Sequence, residues 1–189
     1  MIADTTIVNF RNIVTLKDGV NVLLRPMTAD DEEALWNLFA PASEEDVRYL
    51  RDNVKDQALI QEWCRHLDYA RVLPLVAQIK DRIVGQASLH LHPGPNRHVG
   101  EVRIFLAKDL RRRGLGTKML NTLIELARKQ NLYTLKAEIV ADQSKVIKAF
   151  QNLGFEFCCT FEDYFMLPDG DTRDVAVLML SLHSEVDEF

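Results

Sequence analysis

Residues 100–120, GEVRIFLAKDLRRRGLGTKML, decide the fold, because a strand pattern passes there through a glycine-containing loop into an amphipathic helix. The loop places three consecutive arginines and two glycines where the helix begins. Cations are unfavourable at that place, since the first turn of a helix already presents unpaired N–H groups and the positive end of the helix dipole. A bound anion removes the conflict. The stretch therefore predicts an anion-binding site.

Composition and charge limit the class of protein. The chain has 189 residues, 47% of them hydrophobic, and a net charge of -5, which suits one domain with a packed core. The acidic balance argues against a nucleic-acid partner, so the arginine run is expected to recognise something small. We expect a single domain over residues 1–189, with its core at about 20–182, a short N-terminal strand extension and a tail at 183–189.

Cysteine usage and hydropathy indicate a cytoplasmic protein. The odd number of cysteines and the absence of zinc or redox spacing favour reduced thiols. The apolar run FEFCC predicts that Cys158 and Cys159 are buried in a strand. No segment reaches the roughly 18 apolar residues that span a bilayer, and the first residues do not resemble a signal peptide. We expect no membrane partner.

Hydrophobic periodicity on both sides of the opening stretch predicts a mixed α/β (α+β) sheet flanked by helices, antiparallel at its N-terminal strands and parallel at its centre. Thr28 is expected to cap a helix, and residues 43–67 are helical as one element or two. The remaining predicted elements are a hairpin around Lys17–Gly19, strands at 72–79, 82–91 and 98–107, a helix at 114–129, a strand at 132–140, a helix at 142–153, a strand beginning at FEFCCTF and a hairpin at 168–170.

The loop sequence itself narrows the anion. A phosphate loop of the Walker type needs lysine and then Ser or Thr after its second glycine, whereas Thr117 and Lys118 stand in the wrong order. The dinucleotide pattern G-x-G-x-x-G is absent. Arg111 to Gly116 instead has the pattern Arg/Gln-x-x-Gly-x-Gly, which resembles the acyl-CoA pyrophosphate loop of the GNAT acetyltransferase superfamily. The resemblance extends from about Val20 to Leu182 and includes DQSKVIKAFQNLGFEF as the C-terminal helix and following strand.

A narrower resemblance concerns the acceptor. The stretch GEVRIFLAKDLRRRGLG, with the upstream LRPMTADDEEAL and LVAQIKDRIVGQASL, is similar to the domain of bacterial protein lysine acetyltransferases. It implies that Glu101 is the general base, since an ammonium acceptor must lose a proton before it attacks a thioester. Strand alternation places Glu101 and Arg103 on one face, so a structural ion pair is the alternative.

The resemblance also implies a set of residues that bind acetyl-CoA. Gln143 stands where many members have a cofactor-contacting asparagine, and Phe150 where many have the tyrosine that protonates the leaving thiolate. Phe150 cannot donate a proton, and Tyr164 is a weak candidate for a substitute acid. The full implied set is Ile104, Phe105, Leu106, Arg111, Arg112, Arg113, Gly114, Leu115, Gly116, Thr117, Gln143 and Phe150.

Three functional hypotheses remain open at this level. The first is transfer of an acetyl group from acetyl-CoA to a primary amine, in particular a protein lysine, by direct attack. The second keeps the reaction but takes a small amine as acceptor, for which the acidic segments DDEE and SEED are suitable. The third is a non-catalytic module that senses acetyl-CoA. We expect no metal, although His90, His92 and His98 lie near Glu101, and either a monomer or a homodimer.

Overall fold

The computed structural model describes residues 7–183, and eight strands in this range pair into one mixed sheet. In spatial order the strands run β1-β2-β3-β4-β5-β6-β8-β7. Their bounds are β1 Asn12–Thr15, β2 Asn21–Pro26, β3 Val72–Ile79, β4 Arg82–Leu91, β5 Val99–Leu106, β6 Thr134–Val140, β7 Glu156–Met166 and β8 Thr172–Ser181. The predicted strands, and the two hairpins that close the ends of the sheet, are thereby confirmed.

The sheet changes from antiparallel to parallel at its centre. Strands β1 to β5 are consecutive neighbours with antiparallel pairing, as a meander requires. Strand β5 pairs in parallel with β6, and the helix between them makes the crossover. Beyond β6, strand β8 is inserted between β6 and β7 and runs antiparallel to both. The mixed architecture expected from the sequence is confirmed.

Five α-helices follow β1 in the described range: α1 Glu32–Phe39, α2 Glu44–Val47, α3 Gln57–Arg65, α4 Leu115–Lys129 and α5 Ser144–Gln151. A single 3-10 turn capped by Thr28 precedes α1. The helical region at 43–67 consists of two short helices, because Ser43 caps the first, Asp56 caps the second, and a loop at 48–56 separates them. This loop includes Arg51, whose side chain contacts β5 and β6.

The helices divide the apolar core into two layers. Helices α4 and α5 pack on one face of the sheet, where Leu115, Leu123 and Phe150 are buried. Helices α1 and α3 cover the opposite face, with Phe39 and Ile60 in contact with Phe105 and other residues of the strands. Because both faces are covered near the centre of the sheet, any polar side chain there lies inside the protein.

Strands β5 and β6 stay together over only three residue pairs, from Val99↔Thr134 to Glu101↔Lys136. Beyond these pairs the two strands separate, and a cleft opens between them. Gly100 lies in the paired part, where an added Cβ would come within 2.6 Å of the Leu89 side chain. The absence of a side chain at Gly100 thus permits the close packing at the base of the cleft.

The prediction that Cys158 and Cys159 are buried is wrong. Cys158 is exposed and Cys159 half-buried, because β7 is the edge strand of the sheet and most of its side chains face solvent. An apolar run in sequence cannot distinguish a central strand from an edge strand.

The expected tail falls largely on residues 184–189, outside the described residues. Within 7–183, no helix combines the length and apolar character needed to cross a membrane.

Candidate active site

The loop before α4 presents a row of free backbone donors. Among residues 7–183, nothing accepts a hydrogen bond from the N–H groups of Arg112 to Thr117, and the first donor to return to the helix is Lys118, whose N–H lies 3.2 Å from the Gly114 carbonyl oxygen. Arg112 and Gly114 have positive φ angles of 62° and 90°. Left-handed residues of this kind direct successive N–H groups into one concavity that suits an anion. The loop therefore fits a pyrophosphate.

The arginine side chains are mostly engaged elsewhere. The Nε atom of Arg113 lies 2.5 Å from an Asp18 carboxylate oxygen, whereas Arg112 is exposed to solvent. Arg111 turns away from the loop, and one of its terminal nitrogens lies 2.5 Å from a carboxylate oxygen of Asp46 in α2. The backbone N–H groups of the loop therefore remain the predicted anion site, and Arg111 connects that loop to α2.

The cleft wall formed by β5 agrees with the predicted placement of its residues. Ile104 and Leu106 lie beyond the last pair with β6, so one edge of β5 has no strand partner there. An added Cβ at Gly116 would come within 3.3 Å of Leu106, which shows how closely α4 approaches β5. Phe105 faces the other side of the sheet, with its ring centroid 5.0 Å from that of Phe39. Cofactor contact by these three residues stays a prediction.

Gln143 and Phe150 have different positions. Gln143 is the N-cap of α5, three residues after the last residue of β6, and it is half-buried. Phe150 is only 3% exposed and packs edge-on against Phe155 at a centroid distance of 5.1 Å. The ring of Phe150 thus belongs to the apolar core beneath the cleft, and its proposed contact with the cofactor also stays a prediction.

Glu101 lies at the point where the two strands part. The residue is 6% exposed, and its carboxylate is 2.9 Å from Arg103 Nε, 3.3 Å from Lys136 Nζ and 3.6 Å from Arg51 Nε. Burial raises the pKa of Glu101, but the hydrogen bond from Arg103 and the charges of the three cations lower that pKa further, to below its ordinary value. The carboxylate is therefore ionised at neutral pH, and the ion pair with Arg103 exists alongside any catalytic role.

A second buried carboxylate, which the sequence reasoning missed, lies beside the first. The side chain of Glu138 in β6 is 6% exposed and contacts Arg51 and Lys136, with its Oε1 atom 2.6 Å from Lys136 Nζ. The available signal was the alternation of Lys136 and Glu138 within an otherwise apolar strand. A central strand covered on both faces has polar residues at alternate positions only where one face meets a polar cavity.

His90 is the strand partner of Glu101 in β4 and shares its polar surroundings. The ring nitrogen Nε2 lies 2.9 Å from the hydroxyl oxygen of Ser88. Burial and the nearby charge of Arg103 lower the pKa of His90 to about 4, so the ring is neutral at physiological pH. Within residues 7–183, no group of three His, Cys, Asp or Glu side chains is arranged to hold a metal ion.

The lowered pKa of His90 predicts acid sensitivity. Below a pH of about 6.5, the ordinary histidine pKa, the His90 ring is protonated in the unfolded chain but stays neutral in the folded protein. The free energy of unfolding therefore decreases as the pH falls from about 6.5 towards 4. Allowing for solvent screening, we expect the free energy of unfolding to fall by about 2 kcal/mol over that range. Urea unfolding of the wild type and of His90→Gln at several pH values measures this decrease. The free energy of unfolding of the variant should fall clearly less over the same range, and an equal fall in both proteins would contradict a lowered pKa at His90.

An open groove lies beside Arg51, the residue that contacts both carboxylates. Helix α2 and the loop at 48–56 form one side, the β7–β8 hairpin forms the other, and the volume is about 820 Å³. Arg51 and Tyr164 both line the groove. The two acidic segments contribute unequally to it, since Glu44 and Glu45 of SEED are lining residues, whereas Asp31 of DDEE is buried in a bidentate ion pair with Arg25.

Comparison with known proteins agrees with this geometry. The model of the acetyltransferase (GNAT) family matches residues 32–155. The GNAT domain of S. lividans PAT is similar at a TM-score of 0.76 and 22% identity, over 90% of this chain and 96% of that one. A ribosomal-protein-alanine N-acetyltransferase from Brucella melitensis gives 0.73 and 26%, over 84% and 98%. The protein yncA, a putative acetyltransferase from Salmonella typhimurium in a structure with its cofactor acetyl-CoA, gives 0.73 and 20%, over 87% and 96%.

The fold, the loop and the cleft thus define an acyltransferase of mixed α/β architecture. The chain belongs to the GNAT acetyltransferase family. It is an enzyme, an N-acetyltransferase that uses acetyl-CoA as its acetyl donor.

Proposed function

We propose that the protein transfers the acetyl group of acetyl-CoA to a lysine side chain of a protein, with Glu101 as general base. The observation that carries this proposal is the position of one buried, ionised carboxylate. Glu101 lies where β5 and β6 part, on the strand that leads into the predicted anion-binding loop, and its partner Arg51 lines the open groove. A carboxylate at this place is able to take the proton from an amine that enters by the groove.

The residues of the cleft support the individual steps. Glu101 accepts a proton from the ammonium group, directly or through water, and the freed amine attacks the thioester carbonyl. The unpaired edge of β5 beyond Val102 offers backbone N–H groups to the oxygen on which negative charge develops. Collapse of the intermediate breaks the carbon–sulfur bond and releases a thiolate, which takes the second proton from the attacking nitrogen, directly or through water. A thiol has an ordinary pKa of about 8.5, so the departure of this group needs no acid at Phe150.

The form of the groove favours a polypeptide acceptor. It is open and wide, and both its walls are formed by surface segments, the loop at 48–56 and the β7–β8 hairpin. Tyr164 and Met166 on the hairpin are 56% and 70% exposed. Exposed aromatic and Met side chains beside a charged cleft are typical of surfaces that contact another chain.

A second acceptor is favoured by one of the comparisons. The Brucella melitensis protein, which is 26% identical, is a ribosomal-protein-alanine N-acetyltransferase. The α-amino group of a protein N-terminus is therefore the second candidate. Both candidates present a primary amine on a polypeptide, whereas a small free amine is the third.

The acceptor class is tested with a matched set of amines at saturating acetyl-CoA. The set contains a peptide with an internal lysine and a blocked N-terminus, a lysine-free peptide with a free N-terminal alanine, and spermidine. We expect the highest kcat/KM with the lysine peptide. A higher value for the alanine peptide would transfer the proposal to N-terminal acetylation, and a higher value for spermidine would refute a protein acceptor.

We also propose a cytoplasmic location. The supporting observation is that Cys64, Cys158 and Cys159 are free thiols in the folded chain, and free thiols are usual where the environment is reducing.

A further inference from the structure

We infer that Arg51 occupies the subsite in which Glu101 and Glu138 bind the ammonium group of the acceptor, and that the acceptor must displace this arginine before it is acetylated. The inference rests on the proposed function for the identity of the acceptor amine. It makes Glu138 a residue that determines specificity and Arg51 an internal competitor of the substrate.

The contacts of Arg51 place its guanidinium between the two strands of the cleft. Its Nε atom lies 3.6 Å from Glu101 of β5, and its terminal nitrogen contacts Glu138 of β6. Both carboxylates are nearly inaccessible, with side chains that are 8% and 6% exposed. Arg51 itself belongs to neither strand, because it comes from the loop at 48–56. A cation from outside the sheet therefore lies between two buried carboxylates that belong to it.

Charge balance indicates what replaces Arg51. The connected ion pairs join three carboxylates, Glu101, Glu138 and Asp52, to three cations, Arg51, Arg103 and Lys136. Asp52 is exposed to solvent, so the buried part of the cluster consists of Glu101 and Glu138 with the cations that contact them. If the Arg51 side chain leaves, Glu138 keeps one of its two ion-pair partners, Lys136, which it shares with Glu101, and the loss of a cation beside a buried carboxylate is unfavourable. An ammonium group replaces the lost cation, whereas a neutral acceptor does not. The vacated place therefore selects a cationic acceptor.

The loop is built so that the side chain of Arg51 is able to leave without unfolding. Just after Arg51, Val54 is buried and Lys55 donates to the carbonyl oxygens of Phe39 and Ala40 at distances of 3.3 and 3.0 Å. These contacts hold the backbone of the loop on α1. The Arg51 side chain remains 31% exposed and lines the groove by which the acceptor enters. Its displacement thus needs only a change of rotamer, within an anchored loop.

Kinetics of Arg51→Gln test the displacement. Removal of the competitor should lower KM for the lysine peptide about tenfold and leave KM for acetyl-CoA unchanged, while Glu138→Gln should raise the peptide KM by at least as much. Arg128→Gln is the matched control, since Arg128 is exposed on α4 away from the groove and its removal deletes the same charge; its peptide KM should stay within about twofold of the wild type. An unchanged or raised peptide KM in Arg51→Gln would overturn the inference.

A binding measurement keeps the inference separate from the proposed function. Methylguanidinium imitates the lost side chain, so at millimolar concentration it should raise the melting temperature of Arg51→Ala by about 3 °C and leave the wild type unchanged. Equal shifts in both proteins, or none in Arg51→Ala, would show that the carboxylates form no such subsite. If neither the wild type nor any variant acetylates an amine, the proposed function fails. The melting temperatures still show whether Arg51 occupies a cation-binding subsite formed by Glu101 and Glu138.

Discussion

Glu101→Gln is expected to lower kcat for a lysine peptide by about 10²- to 10⁴-fold, with the affinity for acetyl-CoA unchanged. Glutamine has nearly the same shape but cannot accept the proton that the ammonium group must lose. The predicted binding site of the donor is the loop of Arg112 to Thr117, whereas Glu101 contacts Arg51, Arg103 and Lys136, so the affinity for acetyl-CoA should not depend on this carboxylate. Steady-state kinetics with calorimetric titration of acetyl-CoA measures both quantities.

The pH dependence of kcat in Glu101→Gln distinguishes a general base at Glu101 from a carboxylate that only forms an ion pair. The pKa of Glu101 lies below its ordinary value, so the carboxylate is ionised throughout the neutral range. A free lysine amine has a pKa of about 10.4, and solvent itself supplies deprotonated acceptor as the pH approaches that value. The deficit of Glu101→Gln should therefore shrink as the pH rises to about 10. Glu125→Gln, which changes an exposed carboxylate on α4, is the matched control. A deficit that is the same at every pH would contradict the assignment of Glu101.

Thr117→Glu is the second change with a large expected effect, and it should weaken acetyl-CoA binding by roughly 30-fold, or about 2 kcal/mol. Thr117 is exposed in the first turn of α4, beside the free N–H groups of the loop. A carboxylate there competes with the pyrophosphate for these donors and repels its charges. The fold should not suffer, because acidic residues stabilise the first turn of a helix.

The control for this variant lies one turn further along the same helix. Asn121 is exposed on the same face of α4, so Asn121→Glu adds the same charge at a greater distance from the loop. Calorimetric titration should show an affinity within about threefold of the wild type, because exposed charges are strongly screened beyond a Debye length of roughly 8 Å. If both variants lose affinity equally, net charge rather than the anion-binding loop controls acetyl-CoA binding.

Most of the fold follows from local sequence. The strand, loop and helix of residues 100–120, the turn at Lys17–Gly19 and the cap at Thr28 all agree with the structure, since periodicity and turn chemistry act over a few residues. The edge position of β7 could not be predicted from local sequence. Whether the run FEFCC lies at the centre or at the edge of a sheet depends on the insertion of β8, which is a long-range event.

The site was predictable in part. The loop and Glu101 lie on one continuous stretch of sequence, so the resemblance points to both at once, and their roles stay predictions. Glu138 was detectable as a polar alternation in a central strand. The role of Arg51 was not detectable in the sequence, because its contacts with both carboxylates depend on the path of the loop at 48–56. The exposed loop contains no periodicity that would point to such a contact.

Acetylation of protein lysine side chains is measured by incubating the purified enzyme with isotopically labelled acetyl-CoA and protein extract of the source organism, and by locating the label with mass spectrometry. We expect label on lysine Nζ atoms with the wild type and its loss with Glu101→Gln. Label confined to α-amino groups or small amines, or lysine label that persists undiminished in Glu101→Gln, would rule out protein lysine acetylation with Glu101 as base.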